Sequence, residues 1–110
     1  MITASQLVEE VVATLVKEAG PERIILFGSH ATGTVTPDSD LDLLVVETER
    51  FDEKNSRRKE LTRLLKAIAG FRIPIDILLY SQDEVERWEH SINHVIARAI
   101  REGKVVYERP

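Results

Sequence analysis

Residues 28–42 read Gly-Ser-His-Ala-Thr-Gly-Thr-Val-Thr-Pro-Asp-Ser-Asp-Leu-Asp, and the groups able to do chemistry in this stretch fall into two sets. A Gly28-Ser29 turn comes first, and after residues 30–39 come two carboxylates, Asp40 and Asp42. Glycine lets the backbone approach an anion closely, and amides exposed at a turn or helix start form a nest for phosphate. The Ser29 hydroxyl adds a further donor, and Gly33 lets the loop turn back toward the acids. Asp40 and Asp42 stand two apart at the start of an apolar run, so on a strand their side chains leave the same face. Triphosphate on one side and divalent metal on the other is the chemistry this pairing suits.

A third carboxylate lies downstream. Asp76 interrupts Ile73-Pro74-Ile75-Asp76-Ile77-Leu78-Leu79. An unpaired carboxylate buried there would cost several kcal/mol, so it requires a metal, a cation or water. Placement beside Asp40 and Asp42 on a neighbouring strand is the economical solution. Three clustered acids raise one another's pKa unless cations intervene. Magnesium fits, because it is hard, takes oxygen ligands and keeps positions open for water and substrate phosphate. Two such ions about 3.5–4 Å apart can polarise a phosphorus centre and stabilise a leaving oxygen. Each signal has an ordinary reading when taken singly. A Gly-Ser turn after a strand is common, residues 38–42 could serve capping and solvated turns, and Asp76 could face solvent from an edge strand near Pro74. Their joint arrangement favours the site.

The elements that must position these groups follow from hydrophobic period. Thr3 with Gln6 forms a capping box for a first helix. Leu7, Val8, Val11, Val12, Leu15, Val16 and Ala19 give that helix a broad apolar face, and Gly20-Pro21 stops it. Ile24 to Phe27 and Leu41 to Val46 read as strands, joined by a Gly-, Ser-, Thr- and Pro-rich loop with one helical turn near Ser29. Leu61, Leu64, Leu65 and Ile68 stripe a second helix that Gly70 ends. Ile73 to Tyr80 is the third strand, in which Asp76, Leu78 and Tyr80 share a face. Ser81 and Glu84 form a capping box for a helix carrying Val85 and Trp88. A last helix carries Ile92, Val95, Ile96, Ala99 and Ile100, ends at Gly103, and precedes a short edge strand or docked tail at 105–107. The fold class expected is α/β (α+β): a small mixed sheet with helices packed mainly on one face.

The chain has 110 residues, long enough for one modest core, and reads as a single domain over residues 1–110. It contains no cysteine, which excludes disulfides, thiolate catalysis and sulfur-ligated zinc. The net charge of −4 argues against non-specific nucleic-acid binding, while leaving room for a nucleotide whose phosphates a metal neutralises. Nothing at the N-terminus resembles a signal peptide and no run is long enough to span a bilayer, so a cytoplasmic location is expected.

On these residues the chain resembles the nucleotidyltransferase superfamily that includes DNA polymerase beta, and within it the minimal, MntA-like nucleotidyltransferases of bacteria and archaea. The pattern is Gly-Ser, ten residues, then Asp-x-Asp, here Gly28-Ser29 and Asp40-Leu41-Asp42, with Asp76 matching the third acid. The segment Ile100 to Glu108 also looks like the usual ending of these proteins. The resemblance implies a polymerase-beta-like core and transfer of a nucleoside monophosphate, AMP from ATP, with release of pyrophosphate. It implies that Asp40 and Asp42 hold two Mg²⁺ ions, that Asp76 holds the one activating the acceptor, and that Gly28, Ser29 and Gly33 belong to the phosphate turn. It further implies an antitoxin role beside a HEPN-domain ribonuclease toxin, a toxin tyrosine receiving the AMP. Many such antitoxins carry Arg where Thr32 stands, which puts activity in question and keeps a second reading open: neutralisation of the toxin by complex formation alone. Transfer to a small molecule such as an aminoglycoside is a weaker third. His90 and His94, four apart, lack the intervening Glu of a metalloprotease helix and read as polar or partner-facing surface.

Overall fold

The computed structural model describes residues 3–33 and 39–110; the part of the expected loop at 34–38 lies outside them. Helix α1 (Ala4–Ala19) opens with the expected capping box, Thr3 accepting from the Gln6 amide and Gln6 from the Thr3 amide, and closes on left-handed Gly20. Strand β1 (Arg23–Phe27), the single turn α2 (Ser29–Thr32) and strand β2 (Leu41–Glu47) follow. Then come α3 (Arg57–Ala67), β3 (Ile75–Ser81), α4 (Gln82–Trp88), α5 (Val95–Glu102) and β4 (Lys104–Glu108).

The sheet runs β3-β2-β1-β4. Strand β1 is antiparallel to both neighbours, whereas β2 and β3 are parallel, so α3 serves as the crossover that a parallel pair needs. The sheet is therefore mixed, as expected, and the tail at 104–108 is an edge strand.

Alternation along the strands sorts the core into two layers. Ile24, Leu26, Leu41, Leu43, Val45 and Leu79 pack with Val11, Val12 and Leu15 of α1 and Leu64 of α3. Ile25, Leu44 and Val46 turn the other way, onto Val85 of α4 and Ile96 and Ala99 of α5. The two longer helices thus form the expected layer on one face. The short α4 and α5 close part of the opposite face, which the period alone did not reveal: each is too brief to display a full stripe.

Several local expectations shift. Helix α3 ends at Ala67 with Ile68 as its cap rather than running to Gly70, and Leu65 is 41% exposed, so its stripe is narrower than the four apolar residues suggest. The last helix starts at Val95 and leaves Ile92 81% exposed, because His94 caps it: the imidazole Nδ1 accepts from the Ile96 amide at 3.1 Å. Trp88 stacks on that imidazole with ring centroids 4.7 Å apart. His94 is thus a structural cap.

Candidate active site

The acids converge at the entrance end of β2 and of the edge strand β3 beside it. In the parallel pairing of β2 with β3, Asp42 stands directly beside Asp76, at the spacing of about 4.8 Å that separates neighbouring strands. Their side chains share the face carrying Leu44 and Leu78. Pairing continues past the start of β3, the Leu41 amide donating to the Pro74 carbonyl at 2.9 Å, and this pins the Asp40-Leu41 junction against the β3 approach. Asp40 and Asp76 are exposed and Asp42 is half-buried.

Across β1, Asp42 stands opposite Phe27. An apolar neighbour on one side and acids on the other leave the Asp42 carboxylate poorly compensated. Its pKa is raised, first by burial and then by the charges of Asp76 and Asp40, while His30 pulls the other way. Phe27 was legible in the sequence only as strand core; its place beside Asp42 depends on strand register.

The phosphate turn abuts the same carboxylate. Gly28 has φ 73°, a left-handed conformation that side chains disfavour. A Cβ on Gly28 would overlap Asp42 Oδ2. Both conformation and space therefore require glycine, and the backbone of the turn lies against the acid. Ser29 then begins α2, whose Ala31 and Thr32 amides donate to the Gly28 carbonyl at 3.0 and 3.1 Å. A helix start leaves its leading amides without intrahelical acceptors, which is what an anion-binding turn needs. Gly33 ends the turn at φ 78° with its amide bonded to the Ser29 carbonyl, reversing the chain as expected. Of the predicted site residues, Asp42, Asp76 and Gly28 lie together, Asp40 and Ser29 flank them in sequence, and Gly33 closes the turn.

The donor set fits a hard divalent cation: carboxylate oxygens only, two of them side by side, one destabilised by uncompensated charge. Among the described residues no group of three or more acids or histidines is placed to hold a metal ion by itself. An open set of oxygens on adjacent strands suits an ion that retains water and phosphate ligands. Thr32, where the family resemblance implies an arginine, turns its hydroxyl back toward the Gly28 and Ser29 carbonyls, 3.4 Å from each.

Residues 6–106 match the family described as nucleotidyltransferase domain. The protein named "Putative protein adenylyltransferase MJ1305", from Methanocaldococcus jannaschii, is 34% identical over 87 residues, covering 78% of this chain and 58% of that protein. The chain thus spans little more than half of that relative's length. Spectinomycin adenyltransferase AAD(9) from Enterococcus faecialis, solved with ATP and spectinomycin, aligns over 98% of this chain and 57% of its own, with a TM-score of 0.70 and 18% identity. A toxin-antitoxin structure with AMP-PNP aligns over 92% of this chain and 73% of its own, with a TM-score of 0.53 and 23% identity. At these identities the two solved structures establish a shared fold.

Proposed function

The chain belongs to the nucleotidyltransferase-domain family, and we propose that it transfers AMP from ATP to a tyrosine hydroxyl of a HEPN-type toxin, acting as the antitoxin. The observation that carries this reading is the Asp42–Asp76 register with Gly28 against Asp42, which sets paired acids beside a phosphate turn. The adenylyl reading draws support from the name of the archaeal relative, and the antitoxin reading from the toxin-antitoxin fold likeness. The proposal takes residues 1–110 as one domain working in the cytoplasm; no helix among the described residues is long and apolar enough to cross a membrane.

In the transfer, the acceptor oxygen bonds to the α-phosphorus as the bond from that phosphorus to the β-phosphate bridging oxygen breaks, releasing pyrophosphate. Gly28 and Ser29 hold the β- and γ-phosphates through backbone amides and the Ser29 hydroxyl. Asp40, Asp42 and Asp76 would hold two Mg²⁺ ions, which supply charge neutralisation and polarise the α-phosphate when bound. Asp76, exposed on the β3 edge, faces the acceptor side and takes the hydroxyl proton, directly or through water.

The test is to incubate the chain with the protein encoded beside it, Mg²⁺ and each nucleoside triphosphate, and weigh that partner intact. A single AMP-sized increment with ATP is expected, lost in Asp42→Asn. No adduct with any triphosphate from folded protein would overturn transfer to that partner.

The Thr32 hydroxyl, folded onto its own turn, offers no cation to phosphate and favours one second reading: neutralisation by complex formation alone. That reading requires a D40N/D42N variant to protect cells from the toxin as well as wild type does. Loss of protection with complex formation intact would eliminate it.

A further inference from the structure

On the face opposite the carboxylates, α1 and β4 bound a groove of about 820 Å³. Its walls are largely apolar, with Val8, Val12 and Val16 on the α1 side and Leu26 and Val106 on the sheet side. It exists because β4 is an edge strand added beyond β1, while α1 packs inward on the central strands and α3. The last strand is thus covered only in part, Val106 and Tyr107 being half-buried.

The outward edge of α1 carries Ser5, Glu9, Ala13 and Lys17, four apart and all exposed, so they form one row inclined to the helix axis. Neither Glu9 nor Lys17 has an ion-pair partner among the described residues. The row has a property that its composition alone does not require. Laid antiparallel on a copy of itself about Ala13, it sets Glu9 beside Lys17 of the second copy and Lys17 beside Glu9 of that copy. A two-fold axis makes both pairs from one contact. Ala13, the smallest side chain of the row, falls at the crossing, where small residues let helices approach toward the lower end of the usual 8–10 Å.

We propose that this groove is occupied by α1 of a second copy of the chain, the two helices antiparallel and crossing at Ala13. The same contact lays each copy's α1 along the other's β4, whose Val106 and Tyr107 are half-buried. An unrelated amphipathic helix would also find apolar walls, but it would give no reason for the charge row to match its own reverse. No residue of the row lies among the candidate catalytic groups, and of the phosphate turn His30 alone lines the groove.

Sedimentation of the full chain over a wide concentration range, without toxin or nucleotide, tests it. Wild type should form a dimer. Glu9→Lys alone, and Lys17→Glu alone, set like charges together at both pairs and should weaken the dimer about tenfold. The E9K/K17E double variant restores opposite charges and should return the constant to within about threefold of wild type. All four positions in the row are exposed, and circular dichroism confirms that each variant folds. As a second measurement, Ala13→Cys is the sole thiol in a cysteine-free chain, and oxidation should convert it to a covalent dimer, whereas Thr62→Cys on α3 should stay monomeric. A chain that is monomeric throughout, a dimer indifferent to the single reversals, or failure of the double variant to recover overturns the proposal. So does a monomer whose groove is protected only by another protein's helix.

Discussion

Strand β2 carries an acid at each end, and the two are treated differently. At its exit, Glu47 meets Glu60 of α3, and its pKa is pushed up to about 8 by burial and by bonding to that second acid. Two carboxyls can bond only by sharing a proton, so the pair then carries one negative charge rather than two. Arg63 completes it, bonding Glu60 at 2.8 Å and reaching the Glu18 carboxylate at 3.2 Å and the Glu18 carbonyl at 2.7 Å. At the exit of β3 the same care is taken. Arg57 pairs with Glu84, donates to the Leu79 carbonyl at 3.1 Å, and lies over Tyr80 and Phe51. Although burial opposes it, this guanidinium leaves the Glu84 pKa below its ordinary value.

At the entrances of β2 and β3, among the described residues, no guanidinium or ammonium acts on the Asp42 carboxylate. Asp42 is set beside Asp76, with Asp40 near, and the imidazole of His30 acts against their effect on it. Acids whose role is structural are supplied with a proton or an arginine by the fold. Asp42, beside the phosphate turn, has neither, and in the proposed function it uses an external cation.

The contrast breaks first at Asp42. Asp42→Asn should reduce nucleotide transfer by three orders of magnitude or more, an effect of about 4 kcal/mol on the barrier. It should leave stability equal to wild type or up to about 1 kcal/mol higher without metal, because it removes a carboxylate whose ionised form the fold disfavours. Comparing transfer rates with urea midpoints checks both halves. A variant that lost activity by unfolding would remove the distinction between the two ends.

Gly28→Ala should come next. The added methyl meets Asp42 in a backbone conformation alanine resists, and about 1–3 kcal/mol of stability should be lost, together with most of the transfer activity. Thermal unfolding beside a transfer assay measures it.

The exit end answers to pH in a direction set by its raised pKa. An acid whose folded pKa lies above its unfolded value contributes stability below the unfolded value, and loses it as pH rises. For Glu47 that window runs from 4.5 to about 8. Glu47→Gln should therefore gain most relative to wild type at pH 9, on the order of 1–2 kcal/mol after allowance for solvent and coupling, and least at pH 4. Denaturant midpoints at the two pH values measure it; a larger gain at pH 4 would reverse the assignment.

The smallest effect expected is at Thr32. Thr32→Arg restores a cation to the phosphate turn, and transfer should rise a few-fold through a lower KM for the triphosphate. An unchanged KM would show that position 32 does not reach the phosphates.

Much of the entrance was legible in the chain itself. Period-two alternation fixes Asp42 with Leu44 and Asp76 with Leu78 on matching faces, and the Thr3–Gln6 and Ser81–Glu84 boxes mark helix starts through contacts only three residues long. The exit was not legible. The Glu47–Glu60 pair depends on how α3 docks, and Glu47 in sequence is simply a charge at the end of an apolar run. The same is true of Phe27 opposite Asp42, which needs the antiparallel register of β1 with β2. His94 was misread as surface because imidazole is an uncommon helix cap, and Leu65 because a four-residue stripe does not show which member faces the sheet.

Manganese binding monitored by electron paramagnetic resonance tests the central claim most directly, with Mn²⁺ standing in for Mg²⁺ and a non-hydrolysable ATP analogue present. Wild type should immobilise Mn²⁺ together with nucleotide, and the folded D40N/D42N variant should bind at least tenfold more weakly. Equal binding by the two proteins would show that the entrance carboxylates are not the cation site.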